Sequence, residues 1–78
     1  MTNRSSANVV PHVEHFDNGR VKLRGAHLDG AMHGAWEFFR RDGSMMRAGT
    51  FARGRQVGIW RTYDRAGNVV TETDLGDP

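Results

Sequence analysis

The hexapeptide Gly34-Ala35-Trp36-Glu37-Phe38-Phe39 returns 24 residues later as Gly58-Ile59-Trp60-Arg61-Thr62-Tyr63. A self-match at fixed spacing names one structural unit used more than once, and it constrains the fold before any local propensity does. The frame extends outward. Gly19, Gly43 and Gly67 fall in register, as do Gly25 with Gly49, Gly30 with Gly54 and Gly34 with Gly58, so nine of the ten glycines obey the period and Gly76 stands outside it. Val21, Met45 and Val69 align, as do His27, Phe51 and Leu75, and His15 takes the slot of Phe39 and Tyr63. The chain reads as a small repeat protein.

Within the unit, Arg20 to Leu28 alternates: Val21, Leu23, Gly25 and His27 share one side, with Arg20, Lys22, Arg24 and Ala26 on the other. That period of two indicates a half-buried strand. Gly25, repeated at Gly49, weakens a strand unless it serves a bulge or seats a neighbouring aromatic ring. Asp17-Asn18-Gly19 carries a strong hairpin signal, because both Asn and Gly tolerate positive φ, and Asp42-Gly43 and Ala66-Gly67 repeat the slot. The six-residue stretch 29–34, framed by Gly30 and Gly34 and repeated at 53–58, reads as a longer turn. The prediction is an all-β antiparallel meander of about six strands, near 12–16, 20–28, 34–40, 44–52, 58–64 and 68–74, built from 24-residue hairpin repeats. Residues 1–9 read as a disordered leader, and 10–76 as the sheet domain: half-repeat 10–18, repeats 19–42 and 43–66, partial repeat 67–76. Pro11 points to an edge position for the first strand, since proline cannot donate to a ladder.

A chain of 78 residues is one small domain, which buries roughly 60% of its unfolded surface. The absence of cysteine excludes disulfides and thiolate chemistry and fits a reducing compartment. No apolar run approaches the roughly 20 residues of a membrane-spanning helix, so the expected setting is soluble and cytoplasmic. The net charge of +2 is unevenly spread: residues 20–65 hold ten basic against four acidic residues, while the flanks are acidic. Nearly all the basic residues are arginine, which suits bidentate contact with carboxylate or phosphate.

The repeated hexapeptide also carries the functional expectation. Trp36 and Phe39 are three apart, so on a strand they point to opposite faces, as do Trp60 and Tyr63. Large aromatics on both faces of a single-layer sheet imply strong curling or cover by another chain, and an uncovered aromatic patch marks an interaction site. Trp36, Phe39, Trp60 and Tyr63, with Arg53 and Arg55, are the expected partner-binding residues; Met45-Met46 is core or an adaptable contact.

At these residues the chain resembles the MORN repeat family, in particular the variant repeats common in bacteria. The resemblance is carried by Asn18-Gly19, Val21, Gly25, His27, Gly30, His33-Gly34, Trp36 and Phe38-Phe39, and again by Asp42-Gly43, Met45, Gly49, Phe51, Gly54, Gly58, Trp60 and Tyr63. It covers roughly residues 12–75, with His27 in place of an aromatic and Val57 in place of the histidine of a His-Gly pair. It implies a repeated-hairpin sheet and a binding role: protein–protein contact, oligomerisation, acidic phospholipid, or an antitoxin or immunity function beside a toxin.

The residues argue against catalysis and ligated metal. In His12-Val13-Glu14-His15 the first and third residues share a strand face while His15 points away, so at most two ligands converge. Ser44, Thr50, Thr62 and Thr71 alternate as solvent-facing strand residues do, and no nucleophile–base pair stands out. The glycines are spaced for turns rather than for a phosphate-cradling loop. The expectation is a non-enzymatic protein-interaction module with no cofactor, its partner a toxin-like protein or a second copy. Anionic lipid is the alternative partner, and nucleic acid is disfavoured by the modest net charge and acidic tail.

Overall fold

The computed structural model describes residues 9–77. Most of the expected leader, residues 1–8, lies outside that range; Val9 already belongs to the first strand. Six strands follow one another, β1 (Val9–His15), β2 (Val21–Leu28), β3 (Ala31–Phe39), β4 (Met45–Ala52), β5 (Arg55–Tyr63) and β6 (Val69–Asp74), with no helix among the described residues. They form one antiparallel sheet in the order β1-β2-β3-β4-β5-β6. The predicted meander is the observed one, and β1 with its Pro11 lies on an edge.

The 24-residue period is realised as register. Glu14↔Leu23 in β1/β2 recurs as Phe38↔Arg47 and Thr62↔Thr71, and each of these three junctions breaks register one residue further on. Arg24↔Glu37 and Ala26↔His33 in β2/β3 recur as Ala48↔Arg61 and Thr50↔Val57, with the break at Gly25 and Gly49. A slip of one residue would exchange the two faces of the sheet, so the repeated pairing keeps every indole on one side.

The two kinds of turn differ from expectation in tightness. At Asp29-Gly30 and Arg53-Gly54 both central residues have positive φ (51° and 86°, 51° and 91°), as a two-residue type I′ hairpin requires. β3 and β5 therefore begin at Ala31 and Arg55, three residues before the predicted starts. Gly34 and Gly58, expected to close a long turn, lie inside these strands with φ of 83° and 70°. At the Asx-Gly slots the reverse holds. Only the glycine is left-handed, Gly19 donates to Phe16 O (3.0 Å) and Phe16 donates to Arg20 O (2.8 Å), which closes a three-residue loop. Gly43 and Gly67 repeat the bond, to Arg40 O and Asp64 O. Since the residue before the glycine needs no positive φ, Ala66 is accommodated there.

The core is built without a second layer. The fused Cδ2–Cε2 edge of the Trp36 indole lies over Gly25 on β2, and that of Trp60 lies over Gly49 on β4. Each indole N–H then donates to a strand carbonyl ten residues back, Trp36 to Ala26 O and Trp60 to Thr50 O, both at 3.1 Å. Phe51 meets both rings edge-on at 5.9 and 5.1 Å, and Phe38 stacks on Trp36 at 6.1 Å, separations at which aromatic pairs attract beyond simple burial. Leu23 and Met32 complete the cluster. The strand glycines thus act both as bulges and as ring seats, and the sheet buries its tryptophans against its own backbone.

Candidate interaction surfaces

The six residues expected to meet a partner fall into three places. Trp36 and Trp60 are 1% and 7% exposed, so neither offers a contact surface; they are the core. Phe39 is half-buried on the opposite face, beneath the Arg24 guanidinium (5.3 Å). Arg24 also bonds Glu37, whose side chain points away from its neighbours Trp36 and Phe38. Tyr63 holds the same slot in the next unit, half-buried, and its carbonyl accepts from the Arg40 guanidinium. Arg53 and Arg55 lie at the β4/β5 hairpin end with His33 and Ala52, around a cavity of about 360 Å³. There the Arg53 amide donates to His33 Nδ1 (3.1 Å), which leaves Nε2 as the outward nitrogen. Both arginines are exposed, and neither guanidinium is engaged by another described residue.

Arg47, absent from the expected set, lies on the indole face with its guanidinium 4.9 Å from the Phe38 ring and 5.3 Å from that of Trp60. It pairs with Phe38 across β3/β4, and cation–π contact of this kind is worth about 0.5–2 kcal/mol. Its long side chain closes the ladder from the solvent side.

The turns are joined by repeated polar contacts. Arg41 bonds Asp17, Arg65 bonds Asp42 (2.7 Å), and the Asn18 amide donates to Arg41 O (2.9 Å). These are exposed ion pairs, of little energetic weight singly, and they repeat the stagger of the sheet. The Ser44 hydroxyl and amide both donate to Asp42 Oδ1, and with Arg65 at Oδ2 they hold that carboxyl far below the usual aspartate range. Asn68, through its backbone N–H, lowers Asp64 in the same way, and the His12 side chain lowers Glu14. Because the folded pKa of Asp42 lies below the unfolded value of about 3.9, its contribution to stability is complete above that pH and lost as pH falls below it. A carboxyl NMR titration is expected to place the Asp42 midpoint below the ordinary aspartate value, and Ser44→Ala to raise it. An unchanged midpoint in that variant would remove Ser44 as the main cause.

The third surface is the pair of open edges. Of the eight large hydrophobic residues that are exposed among the described residues, Val9, Val10 and Val13 are on β1, Val69 and Val70 on β6, and Leu75 directly after it; Met46 and Ile59 complete the set. β6 is exposed along its whole length, and β1 everywhere except His12. The sequence signal that marks these two strands is the half-repeat in each flank, 10–18 and 67–76, and which side of each is free follows only from the sheet order.

His12 and His27 extend the ring ladder toward β1, with centroids 4.7 Å apart and His27 5.4 Å from Trp36. The His12 Nε2–Glu14 Oε2 contact at 2.8 Å is a surface pair, and no group of three or more His, Cys, Asp or Glu among the described residues is arranged to hold a metal ion. Comparison with known proteins finds no match: no protein-family model, curated protein or solved structure is significantly similar to the chain.

Proposed function

We propose that the chain is a non-enzymatic protein-interaction module of the MORN-repeat type that binds its partner along the open edges of the sheet. The observation that carries this reading is the concentration of exposed aliphatic side chains on β1 and β6, the two strands that have a neighbour on one side only among the described residues. Free strand edges with apolar flanks take an additional strand, main-chain hydrogen bonds giving affinity and alternate side chains giving specificity. An antitoxin or immunity role, in which the bound partner is a toxin, is one form of the same activity. The tryptophans, buried over β2 and β4, are not part of this surface.

The test is capture of partners from native lysate by wild type and by Val13→Lys/Val70→Lys, a pair that places charge on each edge without touching the core. A stoichiometric protein partner held by wild type and lost by the variant, with unchanged far-UV circular dichroism, is the expected result. Capture that survives the double substitution overturns the edge as the binding surface. The guanidiniums of Arg53 and Arg55, exposed and engaged by no other described residue, favour a second reading, binding to anionic headgroups; there Arg53→Ala/Arg55→Ala, and not the edge variant, abolishes salt-sensitive sedimentation with anionic vesicles.

A further inference from the structure

We infer that the strand taken up at each edge is the opposite edge of a second copy of this chain, β6 of one copy pairing antiparallel with β1 of the next. The inference rests on the edge-binding reading above and names its partner. In the 24-residue frame β1 holds the place of β3 and β5, and β6 holds that of β2 and β4. The edge β1 leaves open is the one by which β3 joins β2; the edge β6 leaves open is the one by which β4 joins β5. One junction of the type seen twice inside the chain is thus divided between its two ends. Carrying the register of Leu23↔Phe38, Arg24↔Glu37 and Ala26↔His33 forward sets Thr71 against Glu14, Glu72 against Val13 and Asp74 against Val9 of the next copy.

Side chains at this junction are matched in size. Within the chain each indole lies over a strand glycine and beside a ring in the following slot, Trp36 over Gly25 beside His27 and Trp60 over Gly49 beside Phe51. In the next seat Thr73 stands in the glycine slot and Leu75 in the slot beside it, and the incoming ring is His12 in place of tryptophan. A cavity of about 190 Å³ is open at that seat, its lining including Trp60, Gln56, Thr73 and Leu75. The threonine side chain fills part of the seat, and an imidazole is correspondingly smaller than an indole. Charge agrees as well. Arg41 bonds Asp17 across neighbouring turns, and the same step places Arg65, which bonds Asp42 within its own chain, beside Asp17 of the next copy with the signs exchanged. Such a head-to-tail contact does not close on itself, so copies add beyond two.

The chain has no cysteine, so introduced thiols report the register alone. Two double variants, Glu14→Cys/Thr71→Cys and Val13→Cys/Glu72→Cys, cover two adjacent cross-strand pairs, one of which has the closer spacing of a non-hydrogen-bonded pair. Mild oxidation of folded protein is expected to give a ladder of dimer, trimer and higher species on a non-reducing denaturing gel for at least one double variant. The single variants are expected to give no species above dimer, and adding Thr73→Trp, which fills the seat, is expected to abolish the ladder. Monomer alone, or dimers equally abundant in the single variants, overturns the proposal, the latter because each edge then pairs with itself. If Val13→Lys/Val70→Lys loses a captured protein while no ladder forms, the edge-binding reading stands and the second copy is not its partner.

Discussion

Trp36→Ala is expected to cost about 3–5 kcal/mol, the range for emptying a buried tryptophan site. Trp36 is the least exposed residue of the core, and its ring touches or approaches His27, Phe38 and Phe51 while its N–H satisfies Ala26 O. A chain of this size draws only about 3–5 kcal/mol from its core, so the variant is expected to be largely unfolded at room temperature. Far-UV circular dichroism with urea titration measures this, and Trp60 remains as the fluorescent reporter. A folded Trp36→Ala variant with an unchanged urea midpoint would mean that the indole ladder is not what holds the sheet together.

Gly49→Ala is expected to destabilise the sheet as well, by less and for the opposite reason. A Cβ at this position would overlap Cδ2, Cε2 and Cε3 of the Trp60 indole. The φ of Gly49 is not left-handed, so the backbone itself accepts alanine and the cost is steric. The ring must lift from its seat, weakening the Trp60–Thr50 hydrogen bond and the contacts to Phe51 and Phe38. Overpacking of this kind costs about 1–3 kcal/mol, measured as a lowered urea midpoint at unchanged slope. Gly49→Ala/Trp60→Leu is expected to be less destabilised than the sum of its single changes, because the smaller side chain relieves the clash and the two positions share one contact. Strict additivity would show that the seat is not the cause.

Much of this architecture is legible in the chain because the repeat constrains strand count and order at once, whereas the register across the β2/β3 and β4/β5 turns is not. The paired glycines at 25 and 49 also announce their purpose, since a mid-strand glycine is tolerated where something packs onto it. The burial of the two tryptophans was not legible. Sequence spacing sets Trp36 against Phe39 and Trp60 against Tyr63 across the sheet with equal weight. What decides between the faces is the glycine on the neighbouring strand, which removes the side chain that would hold the ring away from the backbone. Turn tightness was misleading for a related reason. Asp29 and Arg53 adopt positive φ although neither is a glycine, whereas Gly34 and Gly58 bend strands rather than ending them. The role of Arg47 depends on a cross-strand neighbour, Phe38, and so becomes visible only with the register. Of the expected contact residues, Arg53 and Arg55 remain exposed at their hairpin end, while the aliphatic edges stand out only once the sheet order shows which strands have a free side.

The most direct test of edge binding is amide hydrogen exchange on the chain with and without its captured partner, read strand by strand. Binding along the edges predicts slowed exchange concentrated in β1 and β6, with β3 and β4 little changed. Protection confined to the hairpin end around His33, Arg53 and Arg55, with β1 and β6 exchanging as in the free chain, would contradict it.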